Sequence, residues 1–155
     1  MKGTKAPAKK GTMDSPDTVT PERIEEILLT EGIEFEREGQ VIRTGFANSA
    51  IAFTLDNDRL VCDSLWRGQV ALSDGAGLMH ALNQWNQNQI TPTLRFFEQQ
   101  GSHLVVSAYR QVNAGEGLTR DQLGAFILSS LEAVAAAFSY VEEQFPDLVT
   151  WRYQP

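Results

Sequence analysis

The side chains of this sequence that could do chemistry do not stand in a catalytic spacing, although acidic residues are plentiful. The one cysteine, Cys62, has Val61 and Asp63 as neighbours, whereas a reactive thiolate needs a basic neighbour or a helix N-terminus. The two histidines, His80 and His103, have no Cys, Asp or Glu at a metal-binding spacing. We therefore expect a buried structural thiol, two solvent-facing histidines, no metal or other cofactor, and no enzymatic activity.

Amides dominate the segment LNQWNQNQ, residues 82–89, which places six of them around Trp85 and carries no charge. Amides form good hydrogen bonds but do not transfer protons at ordinary pH, so the segment indicates structure or recognition. Trp85 fits the apolar stripe of a helix. Asn83 falls in mid-helix, where asparagine is a poor helix former. We expect it to bond the backbone of a neighbouring strand; the alternative is a bond to an incoming extended peptide.

Four arginines, Arg43, Arg67, Arg95 and Arg110, fall on separate predicted strands. The simplest expectation is that they form weak surface ion pairs with the many carboxylates of the chain. The alternative is that some of them converge on a cleft. A pocket for a small molecule would then be lined by Trp66, Arg67 and Arg95.

The elements that must position these residues alternate between helical and strand patterns. Thr20 and Pro21 begin a first helix that ends at Gly32, Ser73 caps a second helix over 74–88, and Thr119 caps a third that reaches Phe145. Strand patterns occupy 33–38, 41–46, 49–56, 59–66, 93–99 and 103–112. The sequence therefore predicts an α+β domain, an antiparallel sheet with helices packed on it. Three or four strands precede the second helix and two follow it, and with three the order is α-β-β-β-α-β-β-α.

The second predicted hairpin, residues 93–112, carries apolar residues on both faces. One face has Leu94, Phe96, Leu104 and Val106, and the other has Phe97 and Val105. A sheet with one solvated face alternates apolar and polar residues, so both faces need a cover. Either the last helix lies on one side and the other two helices on the other, or a homodimer or a protein partner covers an exposed patch. In the second case we expect partner contacts from Phe97, Val105, Arg95, Trp66, Arg67 and Asn83.

The charge distribution excludes several classes of partner. The net charge is −7, and all four lysines precede residue 13, which leaves 9 arginines against 20 acidic residues. A domain with this excess of negative charge repels phosphate backbones and anionic lipid. We therefore expect neither a nucleic acid nor a membrane as partner. No apolar run approaches the roughly 20 residues that span a bilayer, and no signal peptide follows the lysines. With its single cysteine, the chain is expected to be cytoplasmic.

Composition also predicts the domain organisation. Residues 1–19 are rich in Lys, Gly and Pro, which indicates a disordered basic arm, or an extension that precedes a natural start at Met13. We expect residues 20–148 to form a single domain and residues 149–155 to form a tail in which Trp151 and Tyr153 pack back.

An ordered set of motifs resembles the YbjN family of small bacterial proteins. These motifs are TPERIEEIL at 20–28, IAFTLDNDRLVCDSLWRG at 51–68, LNQWN at 82–86 and LTRDQLGAFILSSLEAVAAAFSYVEEQFP at 118–146. The resemblance implies a fold similar to that of type III secretion chaperones, which are small, acidic and usually dimeric and hold an extended segment of a partner on an apolar surface. It also implies a role in sensory transduction and supplies no catalytic residue. Our leading hypothesis is a non-enzymatic protein-interaction domain, chaperone-like or regulatory; the alternative is a small-molecule-binding sensory regulator.

Overall fold

A computed structural model describes residues 15–151 and contains three α-helices and six β-strands. The elements are α1 (Pro21–Thr30), β1 (Glu36–Glu38), β2 (Val41–Phe46), β3 (Ser49–Asp56), β4 (Arg59–Val70), α2 (Gly75–Asn88), β5 (Thr93–Gln99), β6 (His103–Asn113) and α3 (Arg120–Gln144). The predicted α+β class is confirmed. Four strands precede α2, the larger of the two predicted numbers and one more than in the order α-β-β-β-α-β-β-α.

All strands pair antiparallel in one sheet, in the spatial order β1-β2-β3-β4-β6-β5. The pairing places Phe53 opposite Cys62 and Cys62 opposite Arg110, so these residues share one face of the sheet. The register shifts between Leu65 and Gln69. Strands β1 and β5 form the two edges.

All three helices lie on that same face. Arg110 donates hydrogen bonds from Nη1 to Ser129 Oγ at 2.6 Å and to Ser130 Oγ at 3.0 Å, both on α3. Helix α1 contacts β2 and α3, and helix α2 contacts β5 and α3. The buried core residues of the strands, such as Ile42 and Phe53, point to this side. The alternative in which the helices divide between the two faces is therefore wrong.

The helix ends follow the capping residues at two of the three helices. Thr20 accepts a hydrogen bond from the Arg23 backbone N–H at 3.3 Å, and Gly32 takes φ +71° beyond the end of α1. Thr119 and Gln122 form a capping box at α3. Ser73 does not cap α2, because a 3-10 turn at Leu72–Asp74 precedes that helix.

Helix α3 is long and apolar enough to cross a membrane by length and composition alone. The sequence did not predict this, because the apolar residues of the helix do not form one continuous run. Its apolar stripe is instead buried in the domain, through Leu123, Ile127, Leu131, Val134, Phe138 and Val141. This is the burial expected of a helix that covers a sheet.

Ordered structure begins before Thr20. Asp17 forms an antiparallel bridge with Leu118, and Val19 is buried in the core. At the other end Val149 is buried, and the Trp151 ring meets the Trp66 ring edge-on at 5.9 Å. The predicted lysine-rich arm up to residue 14, and Tyr153 in the predicted tail, lie outside the described residues.

Candidate protein-interaction surface

The sheet face opposite the helices, here called the open face, carries a patch of apolar side chains. Strand alternation and register place seven of them there: Val41, Ala50, Ala52, Val61, Leu65, Phe97 and Val105. No helix among residues 15–151 covers this face, and the side chains of Leu65 and Phe97 are 42% and 43% exposed. The second apolar side of the β5–β6 hairpin is therefore left uncovered by the described chain.

A polar network crosses the middle of the open face. Arg95 donates from Nε to Ser107 Oγ at 3.2 Å and from Nη2 to Asp63 Oδ2 at 3.5 Å. Its guanidinium also lies over the Tyr109 ring, 4.4 Å from the centroid. Because both charged side chains are about half exposed, the ion pair itself contributes about 1 kcal/mol or less. The network instead holds Arg95 flat against the sheet, beside Phe97.

These groups border a shallow hollow of about 450 Å³. Its lining includes Arg43, Asp63, Leu65, Arg95 and Phe97. Every lining residue belongs to the sheet, so the hollow is shallow and open to solvent on the side away from the sheet. Such a shape fits a chain laid across the sheet better than an enclosed small molecule.

The open face carries almost no net charge, although the domain as a whole is acidic. Register places three arginines and four carboxylates on it: Arg43, Arg59, Arg95, Glu36, Glu38, Asp56 and Asp63. Residues 15–151 together contain eight arginines and nineteen acidic residues, a net charge of −11. Nearly all of the excess negative charge therefore lies off this face, on the helices and loops.

The structure brings together three of the six residues that the sequence assigns to partner contact. Arg95, Phe97 and Val105 are neighbours on β5 and β6 of the open face. Asn83 is exposed on α2, outside the open face. Arg67 lies at one end of the sheet, where it donates to the Ala47 carbonyl at 3.3 Å and stacks on Trp151.

The sequence prediction for Trp66 is wrong. This residue lies on the helix-covered face, is 2% exposed, and donates from Nε1 to Glu142 Oε2 at 3.0 Å. The predicted pocket of Trp66, Arg67 and Arg95 does not exist, because Trp66 and Arg95 lie on opposite faces of the sheet. Neighbouring residues of a strand point to opposite sides, so Trp66 and the open-face residue Leu65 diverge.

The motif WRG at 66–68 has a structural explanation. The Trp66 ring lies along its own strand and over Gly68, so a Cβ at position 68 would overlap the indole. The buried Glu142 carboxylate accepts hydrogen bonds from Trp66 and from Asn48 Nδ2 at 2.9 Å. The sequence prediction did not include Glu142, although its position four residues after Phe138 places a charge on the apolar stripe of α3.

The amide segment of α2 is structural where it touches β5. Asn86 accepts from the Leu94 N–H at 2.9 Å and donates to the Leu94 carbonyl at 2.8 Å. Trp85 donates to the Pro92 carbonyl at 2.9 Å, and its ring centroid lies 5.3 Å from that of Tyr140. The predicted bond between a helical asparagine and a strand backbone therefore exists, but it is made by Asn86 and not by Asn83.

No chemically reactive site emerges in the described part of the chain. Cys62 is fully buried, and burial together with the charge of Asp63 raises the pKa of its thiol to about 12. His80 is exposed and His103 is half-buried at a hairpin turn. No three His, Cys, Asp or Glu side chains among residues 15–151 are grouped so that they could hold a metal ion.

Comparisons with known proteins agree with this picture. A family model named YbjN, described as "Putative bacterial sensory transduction regulator", matches residues 20–143. The crystal structure of YbjN from E. coli, described as "a putative transcription regulator", is 15% identical, with a TM-score of 0.68 over 79% of this chain and 90% of that chain. An uncharacterized protein from Methanothermobacter thermautotrophicus is 12% identical, with a TM-score of 0.50 over 84% of this chain and 99% of that chain. No curated protein matches the chain.

Proposed function

The chain belongs to the YbjN family, and from that premise we propose that it is a non-enzymatic regulatory domain that binds a polypeptide partner on its open face. One observation carries the proposal: an apolar sheet face that no described part of the chain covers. The family is described as "Putative bacterial sensory transduction regulator", and a regulator with no metal-binding cluster or exposed thiol among residues 15–151 is expected to act through what it binds.

The size of the exposed apolar patch indicates how much of the face a partner must use. Full burial of a Leu or Phe side chain contributes about 1.5–3 kcal/mol, and Leu65 and Phe97 are already more than half buried. These two residues therefore supply only about 2 kcal/mol together. A stable complex buries about 800 Å² on each partner, so the partner must lie across several strands, over the alanines of β3 as well as β5 and β6.

The charge pattern favours polypeptide over the other classes of partner. A nucleic acid requires a surplus of positive charge on its binding surface, and the open face has three arginines against four carboxylates. Ligand pockets bury about 70–90% or more of a drug-sized ligand, whereas the hollow touches its occupant from one side only. An extended segment with apolar residues and mixed charges matches the face along its whole width.

A small-molecule sensor is the second candidate, and one observation favours it. The hollow of about 450 Å³ falls within the usual size of ligand pockets. It also offers the oriented groups Arg43, Asp63 and Arg95. A ligand present at about 100 times its Kd should add about 2.7 kcal/mol to stability. Thermal-shift screening against metabolites would reveal such a ligand as a raised Tm that Arg95→Ala abolishes.

Matched substitutions test the leading proposal. Leu65→Asp places a charge in the middle of the open face, and Leu29→Asp places one on α1, where the side chain is 69% exposed. We expect Leu65→Asp to weaken the binding of a partner captured with the wild-type chain at least about tenfold, which is about 1.4 kcal/mol, and Leu29→Asp to leave binding unchanged. Equal affinity of both variants, each folded by circular dichroism, would show that the open face is not the binding surface.

A further inference from the structure

The outer edge of the sheet, strand β5, has unpaired backbone groups. The Leu94 N–H and C=O point away from β6, because both are hydrogen-bonded to Asn86 on α2. Backbone groups of an antiparallel edge strand alternate in direction, so those of Phe96 and Glu98 also point outwards. Among residues 15–151 no group pairs with them. Such an edge is a template for another strand.

Helix α2 runs antiparallel along this edge. Its start lies near Leu104, which pairs with Glu98, and its last turn lies at Leu94. Residues 79, 83 and 86 are three or four apart and so share one side of the helix. Because Asn86 touches the outward groups of Leu94, Met79 and Asn83 face outwards over the same edge. Met79 is 52% exposed and Phe97 on the strand beneath is 43% exposed.

This edge lacks the charge found elsewhere in the molecule. The sequence of α2, GAGLMHALNQWNQN, contains no Asp, Glu, Lys or Arg, in a described chain with a net charge of −11. Strand β5 has one arginine and one glutamate. Two copies that meet through α1 or α3 would bring acidic side chains of one copy against acidic side chains of the other, which repel each other. Two copies that meet through α2 and β5 would not.

We propose that two copies of this chain form a homodimer by antiparallel pairing of β5 with β5 about a two-fold axis at Phe97. In this register Phe96 lies opposite the partner's Glu98, and Glu98 lies opposite the partner's Phe96. The two pairs exchange four backbone hydrogen bonds. The Phe97 side chains of the two copies form the central, closely spaced pair, and α2 of each copy lies against α2 of the other.

Neighbouring registers are weaker for specific reasons. An axis at Phe96 would oppose Glu98 to Leu94, whose outward groups are already bonded to Asn86. An axis at Glu98 would place two glutamates directly opposite each other, which destabilises a strand pair. It would also require Gln100, which has φ +50° in the turn. The axis at Phe97 uses every free backbone group and opposes no like charges.

The dimer goes beyond the proposed function, because it leaves the open face uncovered. Two six-stranded sheets joined at β5 become one continuous sheet, and the two open faces lie side by side. A partner segment long enough to cross both would bind with the avidity of two sites.

Sedimentation equilibrium with matched variants tests the pairing. Proline is tolerated on an edge strand where its nitrogen faces outwards, so Glu98→Pro removes an outward N–H while the fold is kept. We expect twice the 17.2 kDa chain mass for the wild-type chain and for Glu98→Ala at micromolar concentrations. We expect a single-chain mass for Glu98→Pro, with an unchanged circular dichroism spectrum. A wild-type chain that stays monomeric, or a folded Glu98→Pro that dimerises as tightly, would overturn the proposal.

Disulfide trapping tests the register without relying on proline. Cβ atoms of a directly opposed pair lie about 4.5–5.5 Å apart, close to disulfide geometry, and the native Cys62 is buried. Under mild oxidation Phe97→Cys should give a linked dimer, whereas Leu65→Cys, equally exposed on a central strand, should stay unlinked. Equal linking of the two variants, or none at position 97, would overturn the register. The two hypotheses fail separately, because Leu65→Asp leaves the β5 edge intact and Glu98→Pro leaves the open face of each single chain intact.

Discussion

The Trp66 ring lies over Gly68. Trp66 was expected to contact a partner, but its side chain is buried and packs in the core. A Cβ at Gly68 would overlap the indole ring. Overpacking of a well-packed core costs about 1–3 kcal/mol, so we expect Gly68→Ala to lower the free energy of unfolding by about that amount. The measurement is urea denaturation followed by tryptophan fluorescence.

Gly77 provides the matched control for that substitution. It lies in α2, and a Cβ added there would have no neighbouring atom within 4 Å. Alanine is favoured over glycine in a helix by up to about 1 kcal/mol, so Gly77→Ala should be neutral or slightly stabilising. A Gly68→Ala variant as stable as Gly77→Ala would show that the Trp66 ring moves away from Gly68 at no cost.

Cys62 should be inert in the folded protein, because burial raises the pKa of its thiol to about 12. The unfolded chain ionises the same thiol near a pH of about 8.5. The stability that the neutral thiol contributes is therefore complete below about pH 8.5 and is lost as the pH rises towards 12. We expect no reaction with a thiol reagent at about pH 8 in buffer and full reaction in urea. Rapid labelling of the folded chain would place Cys62 in an accessible site.

The Asn86–Leu94 pair is the tie between two elements, helix α2 and edge strand β5. Asn86→Ala removes two hydrogen bonds to a partly buried backbone. Unsatisfied groups of this kind cost about 1–3 kcal/mol. We expect Asn86→Ala to lower stability by that amount and to speed hydrogen exchange at the Leu94 amide. Gln87→Ala, at an exposed neighbouring position, should change neither; equal effects of both substitutions would contradict the role assigned to Asn86.

At the scale of elements, the sequence predicts best where local chemistry decides the outcome. Thr20 and Thr119 mark two helix starts because a side-chain oxygen must satisfy free backbone N–H groups there. The prediction that Ser73 caps α2 is wrong, because Ser73 lies within a 3-10 turn that precedes this helix. The sheet face on which each helix packs cannot be predicted from the apolar stripe of the helix, because such a stripe can be buried against either face of a sheet. The choice depends on contacts that are remote in sequence, such as Arg110 with Ser129 and Ser130 on α3.

At the scale of the whole molecule, the same reasoning explains which parts of the candidate site were predictable. The alternation in the β5–β6 hairpin reveals that Phe97 and Val105 point away from Leu94 and Val106, and the structure confirms this. Leu65 and Asp63 were not identified, because their place beside Phe97 depends on the pairing of β4 with β6. The similarity to secretion chaperones remains a prediction, whereas membership of the YbjN family is shown by the match over residues 20–143.

The distribution of charge over the molecule distinguishes three surfaces. The helices and loops carry most of the net negative charge, the open face has three arginines against four carboxylates, and the side formed by α2 and β5 is nearly uncharged. Long-range repulsion between copies therefore disfavours most encounters. It leaves the α2–β5 side free for a second copy and the open face free for a different partner.

Site-specific photo-crosslinking inside the source cell tests the central claim, that the open face holds a polypeptide partner. A photoreactive phenylalanine analogue replaces Leu65 in one strain and Leu29 in the other, since both side chains are exposed but lie on opposite sides of the domain. We predict a discrete crosslinked product with another polypeptide from position 65, lost when Val105→Asp is added, and none from position 29. Equal products from both positions, or a product from position 65 that contains only a second copy of this chain, would contradict the account.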